Sequence, residues 1–294
     1  MPRPRNSPSP TVRPSSATTD RFRRVDAYRA RREWLRYEGT PQRDLFRVLR
    51  ERFLLRHAVS NGWALDAGSG PGRFLPYLGS AACRRVALDL SREMLVGVPN
   101  RAEREREGRV DRVVGDVTRP PFPDGTFSEV ALLGNTAGFA GDQAEAVVGC
   151  AARLAAPQAT LVVEVAPGPG ERSHYLARLP ASAVARLLRS PPPAVWNRAR
   201  AEGFSRERER HTTPATFRRF TVVAITTLLA GHGWAVDEVE AIAPLLGPDP
   251  IRVSAVQKDR KAWNNLLELE ESAGRLPERW KDAAAVLVSA RRSA

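Results

Sequence analysis

An acidic residue followed by three glycines at alternate positions is the run of this chain best suited to bind a ligand. It follows an apolar stretch at residues 63–65, which predicts a buried strand, and reads Asp66-Ala67-Gly68-Ser69-Gly70-Pro71-Gly72. Glycines at a strand-to-helix turn bend the backbone tightly and bring a ligand against bare amide groups at a helix N-terminus. A dinucleotide fingerprint requires G-x-G-x-x-G, but here Arg73 stands where its third glycine would be. The run predicts a ligand-binding turn of another kind, or an ordinary tight turn, followed by a helical stretch through Leu78.

Two further acids end short runs of β-branched and aliphatic residues. Residues 85–90 contain Asp89 and have the pattern of a parallel strand buried on both faces. An acid at the carboxyl end of such a strand can bind both hydroxyls of a ribose. Ser91 then predicts the N-cap of a helix, and residues 112–117 predict a third strand that contains Asp116. Taken singly, each acid could equally be a solvated carboxylate at a strand end.

Taken in order, these runs resemble the motifs of the class I S-adenosylmethionine (SAM) dependent methyltransferases. The strings D-x-G-x-G-x-G and D-L-S-x-x-M-L are similar to motifs I and II, and residues 120–127 resemble the proline-rich turn before the family's fourth strand. The resemblance implies an α/β fold, a seven-stranded mostly parallel sheet with helices on both faces, and a helical insertion or lid. Two departures concern loops: Phe127-Ser128-Glu129 replaces Phe-Asp, and residues 155–159 lack the glycines of the usual Lys-Pro-Gly-Gly turn.

The resemblance also implies a cofactor site for SAM. Its glycines would face the methionine part, Asp89 the ribose, and Asp116 with Val117 the adenine, while the exit of the fourth strand would run beside the sulfonium. The implied cofactor-binding residues are Asp66, Ala67, Gly68, Ser69, Gly70, Gly72, Asp89, Leu90, Met94, Asp116, Val117 and Asn135. Methyl transfer from a sulfonium is an in-line displacement that alignment can accelerate, and a base matters only for a protonated acceptor, so no residue is assigned as catalytic.

Candidate substrate contacts come from outside the glycine run. They are Tyr28, Tyr37, Asn135, His174, Tyr175, Arg218 and Arg219. Core packing is the alternative for the tyrosines, and a solvated surface position is the alternative for the arginines and for His174. The histidines and cysteines show no metal-ligand spacing, so the sequence predicts no metal site.

The remaining pattern divides the chain into three parts. Residues 1–20, rich in Pro, Ser, Thr and Arg, predict a disordered basic tail, and residues 21–58 predict two N-terminal helices, at 21–37 and 42–58. Thr40-Pro41 predicts the cap and the first position of the second helix. Residues 59–294 predict the SAM-binding α/β domain, with a helical lid inserted at about 166–214. Further strands are predicted at 129–133, 160–165, 234–242 and 285–290, and helices at 143–154, 181–188, 217–233 and 259–274.

Composition leaves the choice of acceptor open. The formal net charge of +13 makes nucleic acid a possible partner, but the charge is spread along the chain, which favours an arginine-rich solvated surface. No apolar run reaches the length of a membrane span, and two widely separated cysteines favour a reduced, cytoplasmic protein. We expect a methyltransferase for a small-molecule acceptor. The alternatives are an RNA (rRNA or tRNA) methyltransferase and a non-catalytic SAM-binding protein.

Overall fold

The computed structural model describes residues 26–97, 110–168, 176, 179–190, 217–247 and 249–293. The predicted tail at 1–20, His174 and Tyr175 lie outside the described residues. Of the lid predicted at about 166–214, only residues 166–168, 176 and 179–190 lie within them.

Seven strands form one sheet, as the sequence predicts. Their order is β3-β2-β1-β4-β5-β7-β6, and all neighbours are parallel except β7, which runs antiparallel to both β5 and β6. The strand order reverses between β1 and β4, so a crevice is expected at the carboxyl ends of these two strands. The strands are β1 Trp63–Ala67, β2 Arg84–Asp89, β3 Val110–Val114, β4 Phe127–Leu132, β5 Ala155–Val165, β6 Trp234–Ile242 and β7 Ala285–Arg292.

Helices cover both faces of the sheet. Alternate residues of β1 point to opposite layers: Ala64 belongs to the same core cluster as Leu49 of α2, and Leu65 belongs to the other cluster, with Val148 of α5. The helices are α1 Asp26–Leu35, α2 Pro41–His57, α3 Arg92–Val96, α4 Thr136–Phe139, α5 Ala144–Leu154, α6 Ala181–Arg189, α7 Val222–Gly231, α8 Pro250–Gln257 and α9 Arg260–Gly274.

Polar caps fix where several of these helices begin. The Thr40 side chain accepts a hydrogen bond from the Arg43 amide, and Pro41 occupies the first turn of α2, as predicted. The Ser91 hydroxyl accepts from the Met94 amide at the start of α3, also as predicted. Ser91 follows the carboxyl end of β2, so its cap lies at the carboxyl edge of the sheet.

The helical stretch predicted after the glycine run is wrong in extent. Only a 3₁₀ turn, Leu75–Tyr77, forms there, because Pro76 supplies no amide hydrogen and the chain must return to β2 within a few residues. The guanidinium of Arg85 donates to the carbonyls of Leu78 and Ser80 at 2.7 and 3.0 Å, in place of further helical hydrogen bonds.

Other boundaries also differ from the prediction. Strand β5 begins at Ala155 and not at residue 160. Strand β3 ends at Val114, before Gly115-Asp116, because the Asp116 carboxylate folds the chain into a turn with Thr118. Helix α7 begins at Val222 and not at residue 217, since the Thr221 side chain caps it and Phe220 bridges to Pro167 in extended form.

Candidate active site

The glycine run forms a tight turn at the carboxyl end of β1. The amides of Gly68 and Ser69 both donate to the carbonyl of Leu88, at 2.7 and 3.0 Å, which ties the turn to β2. Gly68 has φ +78°, and a Cβ there would lie 2.6 Å from the Thr136 hydroxyl. Gly70 has φ +53°, and a Cβ there would meet nothing within 4 Å. The turn is packed at Gly68 and opens onto free space at Gly70, where a ligand could lie against the backbone.

Asp89, at the end of β2, joins this turn to the next helix. Its Oδ2 accepts from the Gly70 amide at 2.8 Å, and its Oδ1 accepts from the Ser91 amide at 2.9 Å. The carboxylate is therefore held in one orientation beside the open face at Gly70.

Asp66 is a buried carboxyl group near the carboxyl end of β1. It is 2% exposed, and its Oδ1 has no hydrogen-bond partner among the described residues. Burial, with smaller contributions from the charges of Asp89 and Glu129, raises the pKa of Asp66 to about 7. A buried acceptor without a donor costs free energy, so this position suits a ligand that brings a donor or a positive charge.

Asp116 is fixed by a turn of its own after β3. Its Oδ1 accepts from the Thr118 amide at 2.8 Å and from the Thr118 hydroxyl at 2.7 Å. Val117 follows it and lines a small, mostly apolar cavity together with Leu88 and Cys150. The two bonds to Thr118 hold the Asp116 carboxylate in one orientation just after β3.

The exit of β4 makes an unusual backbone turn. Gly134 and Asn135 both have left-handed conformations, with φ 61° and 65°, which glycine and asparagine tolerate better than other residues. The Gly134 amide donates to Oε2 of Glu164, in β5, at 3.2 Å. Asn135 is 9% exposed, and its Oδ1 has no hydrogen-bond partner in the described part of the chain.

Glu164 belongs to a buried charged cluster with residues of the N-terminal helical segment. Arg50 of α2 donates to its two oxygens at 2.7 and 3.2 Å, and the Arg50 guanidinium lies 5.3 Å from the ring centre of Tyr37. Burial alone would raise the pKa of Glu164, but the charge of Arg50 lowers it, so the carboxylate is ionised. Burial and the charge of Glu164 raise the pKa of Tyr37, so its phenol is neutral.

The N-terminal segment also covers the glycine run. The Arg73 guanidinium stacks 4.6 Å from the ring centre of Trp34 in α1 and forms an ion pair with Glu38. Tyr37 meets Phe74 edge to face, with ring centres 4.9 Å apart. Helix α1 and the turn after it therefore rest on the same loop that presents Gly70.

A family model described as "Methyltransferase domain" matches residues 64–158. The match spans β1 to the first part of β5 and includes the glycine turn, Asp89, Asp116 and Asn135. Residues 64–158 are thus similar to a methyltransferase domain. No curated protein matches the chain significantly.

Proteins of known structure that share this fold catalyse more than one kind of reaction. The magnesium protoporphyrin IX methyltransferase from Synechocystis, with S-adenosylhomocysteine (SAH) bound, is 12% identical, with 95% of this chain and 100% of that chain covered and a TM-score of 0.51. The 1,6-didemethyltoxoflavin-N1-methyltransferase from Burkholderia thailandensis, with 1,6-didemethyltoxoflavin and SAH bound, is 15% identical, with 98% and 94% covered and a TM-score of 0.50. The [4+2]-cyclase SpnF is 14% identical, with 84% and 81% covered and a TM-score of 0.50. At these identities the comparison shows the fold, and a fold alone does not decide the reaction.

The methyltransferase domain brings most of the predicted cofactor residues to one edge of the sheet. Ala67 ends β1 and Ser69 lies within the glycine turn, while Leu90 and the 9% exposed Met94 flank the cap of α3.

The predicted substrate residues are placed less evenly. Tyr37 lies in the turn after α1 and beside the cluster of Arg50, and Tyr28 lies within α1. The Arg218 amide donates to the carbonyl of Gly138, within α4, at 2.9 Å, and Arg219 donates weakly to the Pro167 carbonyl. The two arginines therefore border the exits of β4 and β5, whereas His174 and Tyr175 lie outside the described residues.

Sequence reasoning missed the buried pair of Arg50 and Glu164. Each carried a signal: Glu164 is the one charged residue in the apolar run of residues 160–165, and Arg50 follows the apolar spacing of α2 from Phe46. A charge at a core position implies a partner. Among the described residues no three His, Cys, Asp or Glu side chains form a group that could hold a metal ion. None of the described helices is long and apolar enough to cross a membrane.

Proposed function

We propose that this protein binds SAM at the carboxyl ends of β1, β2 and β3 and transfers its methyl group to a small-molecule acceptor. The observation that carries the proposal is the hydrogen bond of 2.8 Å from the Gly70 amide to the Asp89 carboxylate, beside the open space that faces the Cα of Gly70. SAM supplies a methyl group on a positively charged sulfur, which is already activated for displacement.

The chain's own groups fit the parts of that cofactor. Asp89 would accept the two ribose hydroxyls, and Asp116 with the Val117 amide would meet the polar edge of the adenine. The unpartnered oxygen of buried Asp66 would accept from the ammonium group of the methionine part, which also stabilises the ionised carboxylate. These assignments extend the matched motifs to individual side chains.

The acceptor would approach from the exits of β4 and β5. Asn135, Tyr37 and the two arginines Arg218 and Arg219 border that edge. Tyr28, in α1, and His174 and Tyr175, which follow β5 in the sequence, complete the proposed set of substrate residues. We expect residues 21–37 and 166–214 to select the acceptor, exclude water and align it for in-line transfer. The Burkholderia and Synechocystis structures, both methyltransferases named for small-molecule substrates, support an acceptor of this class.

Cofactor binding can be tested first, by calorimetry with SAM and SAH. Both should bind the intact chain, and Asp89→Ala and Asp116→Ala should each weaken binding. Unchanged affinities in both variants would contradict the assignment of the site.

The acceptor class can then be tested with radiolabelled SAM. We expect label to pass to a small molecule in a metabolite extract and not to total RNA. Label in RNA would favour an RNA methyltransferase, for which the net charge of +13 is the supporting observation. Binding of SAM without transfer to either pool would favour a protein that uses the fold for another purpose, as the [4+2]-cyclase shows is possible.

A further inference from the structure

A buried ion pair stands at the carboxyl end of β5, and none of the matched motifs accounts for it. Glu164 is 1% exposed and Arg50 is 6% exposed, and two hydrogen bonds of 2.7 and 3.2 Å join them. A third donor of Arg50 binds the carbonyl of Phe46 at 2.9 Å. Burying two charges costs desolvation, and well-packed apolar residues of similar volume commonly stabilise a fold as well or better. Stability alone therefore gives a weak reason for this pair.

The pair fixes the backbone at the exit of β4. Oε2 of Glu164 accepts from both Arg50 and the Gly134 amide, so the carboxylate is shared between α2 and the left-handed turn. That turn determines where the next side chain, Asn135, is placed. The following residue, Thr136, packs against Gly68 of the glycine run. The carboxylate thus holds the segment that lies between the cofactor turn and the approach of the acceptor.

Asn135 has the character of a contact residue for a ligand. The residue is more than nine-tenths buried, and its side-chain oxygen has no hydrogen-bond donor among the described residues. A neutral carbonyl oxygen in a partly desolvated site attracts a positive charge. The sulfonium of SAM carries such a charge, and SAH, which lacks the methyl group, does not.

We propose that Glu164 and Arg50 are positioning residues, which hold the turn at Gly134 so that the side-chain oxygen of Asn135 faces the sulfonium of the cofactor. This inference rests on the proposed function. Tyr37 completes the arrangement, because its ring covers the Arg50 guanidinium and its edge contacts Phe74 of the cofactor loop. The N-terminal helical segment would in this way align the β4 exit with the bound cofactor.

The test compares the affinities of SAM and SAH by calorimetry, with melting temperatures as a check on folding. In Asn135→Ala the affinity for SAM should fall about tenfold more than the affinity for SAH, the size of one contact to a charged group. The double variant Arg50→Met with Glu164→Leu removes both charges together and leaves the net charge near the site unchanged. It should lower the preference for SAM by the same factor as Asn135→Ala, and adding Asn135→Ala to it should cause no further loss.

A second variant keeps the test decisive if the double variant does not fold. Glu164→Asp preserves the charge opposite Arg50 but withdraws the carboxylate by one methylene, so it should reduce the preference for SAM severalfold. Glu129→Gln is the matched control, because Glu129 is also buried and accepts backbone amides, from Val59 and Gly79. Glu129 lies near the amino end of β4, whereas the cofactor turn lies at the carboxyl end of β1. The variant should therefore leave the ratio of the affinities for SAM and SAH unchanged.

The outcomes separate the two proposals. If the intact chain binds neither SAM nor SAH, the proposed function fails, and the positioning role fails with it. If both ligands bind but the variants weaken them equally, or only lower the melting temperature, the cofactor site stands and the positioning role is wrong.

Discussion

Replacing Asp89 with alanine perturbs the part of the site where the geometry is most constrained. The carboxylate accepts two backbone amides, from Gly70 and Ser91, and is expected to accept the ribose hydroxyls as well. Hydrogen bonds to a charged group contribute about 1.5–3 kcal/mol, so the loss corresponds to a roughly 10- to 150-fold weaker affinity for SAM. Both backbone amides lie at the partly exposed edge and can bind water, so we expect the free energy of unfolding to fall by only about 1 kcal/mol.

The assay is calorimetric titration of the variant with SAM and SAH beside a thermal melt. SAH keeps the same ribose, so both ligands should lose affinity by the same factor, unlike the differential effect expected at Asn135. Asp111→Ala serves as the control, because Asp111 lies on neighbouring β3 in an exposed pair with Arg84 at 3.3 Å. If Asp89→Ala binds SAM as tightly as Asp111→Ala does, Asp89 does not hold the ribose and the reasoning fails.

Three other changes have expected outcomes. Gly70→Ala should weaken SAM binding as well as lower the melting temperature. Gly125 also has a positive φ and nothing within 4 Å of an added Cβ, so Gly125→Ala should lower the melting temperature alone. Equal SAM affinities in the two variants would show that no ligand lies against Gly70. Arg73→Ala should speed both association and dissociation of SAM in stopped-flow measurements by freeing α1 from the glycine loop. Arg84→Ala, which breaks a similar stack on a tryptophan at the other edge, should change neither rate. Asp66→Asn should weaken SAM binding yet raise the free energy of unfolding, because a folded-state pKa of about 7 against the ordinary 3.8 makes ionisation costly to the fold. The gain should be absent below about pH 4, grow as the pH rises, and level off above pH 7 at no more than about 4 kcal/mol; a gain independent of pH would contradict it.

The elements that could be predicted from the sequence are those whose signal is local. The helix start at Thr40 and Pro41 depends on a cap and a first-turn proline, and strand β6 at Trp234–Ile242 was predicted with the bounds that the structure has. The seven-stranded sheet could be predicted because the order of the motifs resembles that of the methyltransferase family. In each case neighbouring residues decide the conformation, so a single sequence carries the information.

What could not be predicted depends on contacts between distant residues. The segment after the glycine run has apolar residues at helical spacing, but Pro76 and the capping guanidinium of Arg85 limit it to one 3₁₀ turn. The partner of Glu164 is 114 residues away in the sequence, on a helix that no motif covers. A charged residue in a buried strand signals that a partner exists, but only the packing of α2 on β5 shows which residue it is.

The contacts between distant residues indicate which part of the chain selects the acceptor. The matched domain, residues 64–158, includes every predicted cofactor residue, whereas Arg50, Glu164 and Tyr37 lie outside it. One end of the N-terminal segment rests on the cofactor loop through Trp34, and the other holds the β4 exit through Arg50. A single helical segment thus contacts both sides of the crevice. Substitutions in it should therefore change cofactor kinetics and acceptor alignment together, while substitutions in β1–β3 should change cofactor affinity alone.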